Sequence, residues 1–256
     1  MMTEEQVKNY LKRIGLEGAV CPDQEGLEKL VWAHLTHVPF ENLTVCEERK
    51  VPSLEEEDLF HKVVEGQRGG YCFELNRLFY LLLEKLGFEA WPVAVRIRWG
   101  RDFIPAISHR ATAVRIGDAQ YLADVGYGGP GPKGVIRLSE EVQEIRGVRF
   151  RVTTPRPGFC QVERETKEGF APMLLFENRP ALEIDFNAIN FYYGRCEDTP
   201  FYKKPVIFLC TEEGGIELNG SHFTVMENGH AEEKDLGSRE EILDCIRNVF
   251  HIGSQF

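Results

Sequence analysis

The stretch RGGYCFELN, Arg68 to Asn76, places two glycines directly before a long apolar run, and it decides how the chain folds. The run predicts a helix from about Cys72 to Leu86, ended by Gly87 in the left-handed conformation. Because its apolar residues cover almost every face, we expect this helix to lie buried in the middle of a bundle. Cys72 falls in the first turn, among backbone N–H groups that have no partner inside the helix.

This position makes Cys72 the candidate nucleophile among the seven cysteines. A helix N-terminus favours the thiolate, which is the reactive form of a cysteine. The alternative is that Cys72 is only a small apolar residue that fills space in a buried helix. We expect a space-filling role of this kind for the other six cysteines. Gly69 and Gly70 favour the functional interpretation, because they permit tight turning and the close approach of another molecule to the sulfur.

The sequence before this stretch predicts further helices of the same bundle. Helix-start residues precede apolar residues at helical spacing in three places: Thr3 with Gln6, Asp23, and Ser53 with Glu56. Residues 1–88 are therefore expected to form a helical bundle that carries the cysteine.

From about residue 91 the apolar residues recur with a period of two. Val93, Val95 and Ile97 alternate with Arg96 and Arg98, a pattern typical of antiparallel β-structure. Further strands are expected at 109–116, 120–126, 148–152, 160–165, 206–211 and 216–226. A short helix is expected near 181–192, and Ser238 with Glu241 predicts the start of a final helix. No repeat or linker interrupts the chain, so we predict one α+β assembly with its weakest boundaries near residues 88 and 195.

The segment SHRATAVRIGDAQYLADVGYG, residues 108–128, predicts two strands joined by a tight turn at Gly117-Asp118. If Ile116 pairs with Ala119, His109 and Asp124 become diagonal neighbours on one face, with backbones about 7 to 8 Å apart. A slip of one residue would place them on opposite faces.

A carboxylate beside His109 would select one imidazole tautomer and stabilise the charged ring, so that His109 could take a proton from Cys72. Taken singly, His109 is explained as a polar residue at a strand start, and Asp124 as a turn residue at a strand end. Their conjunction with Cys72 favours a catalytic triad.

Composition and charge exclude several other classes of protein. Acidic residues outnumber basic ones 41 to 30, and the formal charge of −11 disfavours nucleic acid as a partner, although a local basic pocket could still hold a small anion. The odd number of scattered cysteines, without a Cys-x-x-Cys pair, indicates free thiols in a reducing compartment. With no secretory or membrane-spanning apolar run, we expect a cytoplasmic protein.

Two weaker signals receive structural interpretations. His34 and His37 have the spacing of metal ligands on a helix, but no matching cluster follows, so no metal is expected. The glycine-rich run VGYGGPGPKG, residues 125–134, matches no phosphate-binding loop and is expected to be a surface loop that borders the active site.

Together, RGGYCFELN, the His109 strand, YLADVGYG (121–128) and VPFENL (38–43) strongly resemble the arylamine N-acetyltransferase family. The resemblance implies a helical bundle (1–88), a β-barrel with the histidine and aspartate (89–195), and a C-terminal α/β lid (196–256), a core like that of cysteine proteases. It also implies acetyl-CoA as donor. An arylamine, hydrazine or N-hydroxyarylamine would accept the acetyl group from Cys72 in a ping-pong cycle, as in xenobiotic metabolism.

By position, Phe40, Tyr127 and Phe201 resemble family residues that line the acceptor pocket, although Phe40 and Phe201 are also explained as ordinary core. The chain departs from the family pattern at Arg110 and Thr112, and again at Gly194-Arg195-Cys196-Glu197. The alternatives to transfer are a papain-like or transglutaminase-like hydrolase with the same three residue types, and an inactive relative that binds a small ligand.

Overall fold

The computed structural model describes residues 2–129 and 131–253. Its N-terminal part contains a short strand, β1 (Phe40–Glu41), and five helices, which are α1 (Glu4–Arg13), α2 (Gln24–His37), α3 (Leu43–Cys46), α4 (Glu56–Phe60) and α5 (Cys72–Lys85). A π-helical turn, His61–Glu65, continues α4. Helix α5 is buried along nearly its whole length, as its apolar surface predicts, and Gly87 follows it with φ +89°.

Two of the three expected helix starts are confirmed. Thr3 and Gln6 form a reciprocal capping box on α1, and Asp23 accepts a hydrogen bond from the Gly26 N–H at the start of α2. The prediction for Ser53 is wrong. Its hydroxyl donates to Asp58 and accepts from the Glu55 N–H, so the helix begins later, at Glu56, without a side-chain cap.

The central part is an eight-stranded antiparallel sheet that curls into a nearly closed barrel. Its strands are β2 (Glu89–Ile97), β3 (His109–Ile116), β4 (Ala119–Ala123), β5 (Ile136–Arg137), β6 (Gln143–Ile145), β7 (Val148–Thr153), β8 (Phe159–Thr166) and β9 (Gly169–Glu177), in the order β5-β4-β3-β2-β9-β8-β7-β6. The Gln143 side chain joins the two edge strands, since it donates to the Arg137 carbonyl and accepts from the Arg137 N–H.

The hairpin that carries the histidine has the register expected from its turn. Ile116 pairs with Ala119 and Thr112 with Ala123. The second strand ends at Ala123 rather than near residue 126, so Asp124 stands just beyond the ladder. This register keeps His109 and Asp124 on one face of the hairpin.

Strand β9 was not predicted, although it pairs with both β2 and β8 at the centre of the sheet. Its sequence contains Pro172, which lacks an N–H and argues against a central strand. The structure accommodates the proline opposite Glu163, next to a register shift between Val162 and Glu163. A bulge of this kind, which depends on the partner strand, is invisible in the sequence of β9 alone.

The C-terminal part forms a second antiparallel sheet with flanking helices. After α6 (Asp185–Arg195) and α7 (Pro200–Lys203), the chain forms β10 (Val206–Cys210), β11 (Gly214–Asn219), β12 (His222–Glu227), β13 (His230–Asp235) and α8 (Arg239–Asn248). The expected strand 216–226 is thus two strands with a turn at Gly220, and the helix expected near 181–192 starts later. Ser238 caps α8 as predicted.

This second sheet has the order β1-β10-β11-β12-β13, so the segment that contains Phe40 forms its edge. The observed architecture is α+β, with a helical N-terminus, a barrel and an α/β C-terminal part, as expected. The division at residues 88 and 195 stays a prediction, and residues 254–256 of its last part lie outside the described residues. No helix in the described ranges is long and apolar enough to cross a membrane.

Candidate active site

Cys72 is the first residue of α5 and is 3% exposed. It lines a cavity of about 240 Å³ together with His109 and the neighbouring Gly126. Helix α5, the strand β3 and the chain just after β4 therefore meet at one point. The helix N-terminus directs its dipole and backbone N–H groups towards the Cys72 position.

The glycines before Cys72 have a different purpose from the expected one. A Cβ on Gly69 would lie 1.9 Å from the Pro39 carbonyl oxygen, and a Cβ on Gly70 would lie 2.9 Å from the Glu74 carboxylate. They therefore admit the protein's own chain, which explains both glycines without the approach of another molecule. Gly126 also packs tightly against Cys72, since a Cβ on Gly126 would lie 2.8 Å from the Cys72 Cα.

His109 and Asp124 form a buried hydrogen-bonded pair. The distance between His109 Nε2 and Asp124 Oδ2 is 2.6 Å, and the side chains are 3% and 2% exposed. Because Nε2 donates to the carboxylate, Nδ1 is the ring nitrogen left for the sulfur, and His109 also hydrogen-bonds the Cys72 side chain. The structure thus brings together the three residues that the sequence singled out.

The electrostatics of this pair favour a charged imidazole. Burial alone would lower the pKa of His109, but the charges of Asp124 and Cys72, with a hydrogen bond to each, raise it to about 10. At neutral pH His109 is therefore an imidazolium.

Asn76 orients Asp124, and the sequence interpretation gave it no such role. Its Nδ2 donates to Asp124 Oδ1 at 2.9 Å and to the Arg110 carbonyl at 2.6 Å, while its Oδ1 accepts from the Val125 N–H at 3.0 Å. The sequence does contain a signal for this role of Asn76, because a residue four places after Cys72 lies on the same face of a helix.

The three aromatic residues expected in an acceptor pocket all line the cavity. Phe40 and Phe201 lie with ring centroids 5.9 Å apart, and Tyr127 meets the His109 ring edge-on at 5.9 Å. Tyr193 forms a further wall, 5.7 Å from Phe201. The sequence interpretation did not single out the other lining residues, which are Ile97, Arg101, Ser108, Tyr193 and Pro200.

Two of the departures from the family pattern, Arg110 and Gly194, have structural explanations. Arg110 is fully buried, and it donates two hydrogen bonds to the Glu183 carboxylate at 2.5 and 2.6 Å and stacks over Phe186. It joins β3 to the segment before α6 and is absent from the cavity lining. Gly194 packs closely on Val51, since a Cβ there would lie 3.0 Å from the Val51 Cα.

A buried cluster of charges supports the segment before Cys72. Glu41 is fully buried and accepts hydrogen bonds from Arg68 at 2.9 Å and from the Leu43 N–H at 2.6 Å, with Lys62 at 3.4 Å. Burial raises the pKa of Glu41, but the charges of Lys62 and Arg68 outweigh that effect and hold it below its usual value. Glu41 is therefore ionised, and the cluster fixes β1 against the loop of Arg68.

His34 and His37 have surroundings that suit structural roles. His34 is fully buried between the rings of Tyr10 and Phe79, with centroids 5.9 and 5.6 Å away, and burial lowers its pKa to about 3. His37 Nδ1 contacts the Ala33 carbonyl oxygen at 2.9 Å. Within the described ranges no group of three or more potential ligands could hold a metal ion.

Comparison with known proteins decides the family. The model of the N-acetyltransferase family matches residues 23–255. The arylamine N-acetyltransferase of Mycolicibacterium smegmatis is 33% identical over 249 residues, which cover 95% of this chain and 90% of that protein. The chain belongs to the arylamine N-acetyltransferase family.

Solved structures agree with this assignment. The M. smegmatis arylamine N-acetyltransferase matches with a TM-score of 0.91 at 32% identity, covering 99% of this chain and 93% of that one. The Mycobacterium marinum arylamine N-acetyltransferase in complex with CoA matches with a TM-score of 0.88 at 26% identity, covering 96% and 92%. The resemblance inferred from RGGYCFELN is confirmed, and the chain is an acyltransferase of this family rather than a papain-like or transglutaminase-like hydrolase.

Proposed function

We propose that this chain transfers an acetyl group from acetyl-CoA to the nitrogen of an arylamine, hydrazine or N-hydroxyarylamine through a thioester on Cys72. The observation that carries the proposal is the buried contact of 2.6 Å between His109 and Asp124, which keeps a charged imidazole beside the Cys72 sulfur. Family membership supports the same reaction class.

In the first half of the cycle the Cys72 thiolate attacks the thioester carbonyl of acetyl-CoA. The N-terminus of α5 is suited to stabilise the negative oxygen of the tetrahedral intermediate, because its N–H groups and dipole are already oriented there. The bond to the CoA sulfur then breaks, and the imidazolium of His109 gives its proton to the departing thiolate. Free CoA, acetyl-Cys72 and neutral His109 result.

In the second half the acceptor nitrogen attacks the acetyl carbonyl on Cys72. Neutral His109 takes the proton that the nitrogen must lose, and the collapse of the intermediate restores the Cys72 thiolate beside an imidazolium. The aromatic walls supplied by Phe40, Tyr127 and Phe201 would hold a flat acceptor over the thioester. Orientation of this kind favours the amine over water.

We place this activity in the cytoplasm, where its cysteines would stay reduced, and we propose no metal requirement. All seven cysteines are unpaired in the structure. The acceptor and acetyl-CoA are the small-molecule partners that the proposal requires.

The proposal is tested by CoA release from acetyl-CoA with a panel of arylamines and hydrazines, beside a peptide-hydrolysis assay. Wild type should release CoA in proportion to the N-acetylated amine formed, and Cys72→Ala should form none. Peptide cleavage, or CoA release at a rate that does not depend on the amine, would favour a hydrolase. No turnover and no label on Cys72 would indicate an inactive binding relative.

A further inference from the structure

The segment before α6 contributes one carboxylate that joins the two catalytic elements. Glu183 accepts two hydrogen bonds from Arg110, at 2.5 and 2.6 Å, and it also forms an ion pair with Arg77. Arg110 belongs to β3 and directly follows His109, whereas Arg77 belongs to α5, the helix that begins at Cys72. A single side chain from outside both elements thus bridges the strand of the histidine and the helix of the cysteine.

The buried guanidinium of Arg110 depends on this carboxylate. Its side chain is fully buried, and both of its hydrogen bonds within residues 2–129 and 131–253 go to Glu183. The remaining nitrogen, Nε, is buried without a hydrogen-bond partner among the described residues. A buried cation needs a counter-charge, because its removal from water is costly unless it is paired. Without the charge of Glu183, Arg110 would therefore have to move towards solvent.

Glu183 also separates two like charges. Burial lowers the pKa of the Arg110 guanidinium, the hydrogen bonds and charge of Glu183 oppose that fall, and the charge of Arg77 adds to it. Arg77 is itself held in place, since its side chain is 18% exposed and its Nε donates to the Leu54 carbonyl at 2.6 Å. Loss of the carboxylate would leave two cations facing each other, one on α5 and one on β3. Their repulsion would push apart the helix and the strand that carry the nucleophile and its base.

The backbone of Arg110 is connected to the catalytic residues through Asn76. Asn76 Nδ2 donates to the Arg110 carbonyl at 2.6 Å and to Asp124 Oδ1 at 2.9 Å. The other oxygen of Asp124, Oδ2, lies 2.6 Å from His109 Nε2. A displacement of Arg110 is therefore passed to the imidazole through a short series of buried hydrogen bonds.

We propose that Glu183 is a positioning residue for acetyl transfer. By pairing with Arg77 and Arg110 at once, it fixes the distance between the cysteine and the histidine. The inference rests on the proposed function, in which His109 serves Cys72 as acid and base. Glu183 is not among the described residues that line the cavity, so it acts through the two arginines and not on the substrate. The alternative is an ion pair that stabilises the fold and does nothing else.

Four variants separate these two roles. Glu183→Gln keeps the size of the side chain and removes its charge. Arg110→Met removes the buried cation but leaves the backbone carbonyl that Asn76 contacts, and a double variant combines both changes. Glu89→Gln is the matched control, because it removes a carboxylate from another ion pair of β3, that with Arg115 at 3.3 Å, and the Glu89 side chain is 63% exposed.

Each variant is assayed well below its own melting temperature, with circular dichroism to verify the fold. Glu183→Gln should lower kcat/KM for acetyl-CoA about 10²-fold, the effect of a displacement of about 1 Å, with 4-methoxyaniline as acceptor. Ring NMR signals should show that the pKa of His109 falls from about 10, because its contacts with Asp124 and Cys72 weaken. The double variant should recover part of both losses, since it removes the unpaired cation. Glu89→Gln should change neither value.

A Glu183→Gln protein that melts earlier but keeps the wild-type kcat/KM and pKa of His109 would reduce Glu183 to a stabilising ion pair. A double variant that recovers nothing would overturn the route through Arg110. If Glu183→Gln does not fold, a folded double variant with wild-type values would overturn the proposal, and one with lowered values would support it. If wild type forms no acetylated amine, the proposed function itself fails, whereas the pKa of His109 still tests the role of Glu183.

Discussion

Solvent exposure and chemical environment predict different orders of reactivity among the cysteines. Cys72 is 3% exposed, whereas Cys21 is exposed to solvent. Only Cys72 stands at a helix start in contact with an imidazolium, and the thiolate is the form that reacts with electrophiles. Environment should therefore outweigh exposure.

We expect iodoacetamide at neutral pH to modify Cys72 before any other cysteine, as measured by peptide mapping over time. Prior incubation with acetyl-CoA should protect Cys72 and leave the slow labelling of Cys21 unchanged. Faster labelling of Cys21, Cys46 or Cys196 would argue against Cys72 as the nucleophile.

The role of Asp124 is tested by Asp124→Asn. Without the carboxylate charge, burial is opposed by Cys72 alone, so the pKa of His109 should fall from about 10. The amide also holds the wrong tautomer, so turnover should fall by about 10³- to 10⁴-fold. Ring NMR signals of His109 would report the pKa, and circular dichroism would verify the fold. Near-normal turnover would remove Asp124 from the mechanism.

The same pair makes stability depend on pH. The pKa of His109 is about 10 in the folded protein and 6.5 in the unfolded chain. Its stabilising contribution is therefore fully present below pH 6.5 and is lost as the pH rises through about 10. The difference in unfolding free energy between wild type and Asp124→Asn should be largest near pH 6 and should shrink above pH 10.

At the level of elements, α5 and the end of β4 pack closely around the sulfur. A Cβ on Gly126 would lie 2.8 Å from the Cys72 Cα and 2.9 Å from Asn76 Nδ2. The backbone at Cys72 cannot make room for a Cβ on Gly126 unless the start of α5 moves away from His109. Gly126 therefore sets the geometry between the helix and the barrel.

We expect Gly126→Ala to destabilise the fold by about 1 to 3 kcal/mol and to lower activity far more than that loss implies. Gly237→Ala is the matched control, because its Cβ would meet only Glu241 Oε1, at 3.8 Å. Denaturant unfolding and turnover measure the two effects. A Gly126→Ala enzyme with normal turnover would show that this contact does not position Cys72.

The cluster of Glu41, Arg68 and Lys62 joins β1 to the loop before α5. Arg68→Gln removes one partner of the fully buried Glu41 carboxylate, so we expect a loss of about 3 kcal/mol in unfolding free energy. Arg239→Gln is the control, since Arg239 is 79% exposed in its ion pair with Glu47 and its loss should cost below about 1 kcal/mol. Equal losses in the two variants would contradict the structural role of the cluster.

Elements with strong local signals were predictable from the sequence. Helix α5 has a glycine pair before it and Gly87 after it, and the turn at Gly117-Asp118 fixed the register that pairs His109 with Asp124. Strand β9 was not predictable from the sequence, because Pro172 argues against a central strand unless the partner strand bulges. Arg101 and Tyr193 could not be predicted as residues that line the cavity. Their nearness to Cys72 depends on tertiary packing, which no spacing in the sequence encodes.

At the scale of the whole molecule, the three parts of the chain meet at one sulfur. The helical part supplies Cys72 and Phe40, the barrel part supplies His109 and Tyr127, and the helix α7 supplies Phe201. The strand β1 pairs with β10, so the N-terminal and C-terminal parts also share a sheet. The cavity therefore exists only in the assembled fold.

The central claim is that Cys72 carries the acetyl group between donor and acceptor. Attack of the thiolate on acetyl-CoA exchanges one thioester for another of similar energy, so acetyl-Cys72 should accumulate when no amine is present. Cys72→Ala serves as the control, because it removes the sulfur while the His109–Asp124 pair remains.

The most direct test is rapid-quench measurement of free CoA after mixing the protein with acetyl-CoA alone, with the acetylated peptide identified by mass spectrometry. Wild type should release one equivalent of CoA per active site in a burst, with the acetyl group on Cys72, and Cys72→Ala should release none. No CoA release before amine is added, together with intersecting double-reciprocal plots for the two substrates, would show direct transfer in a ternary complex and contradict the account.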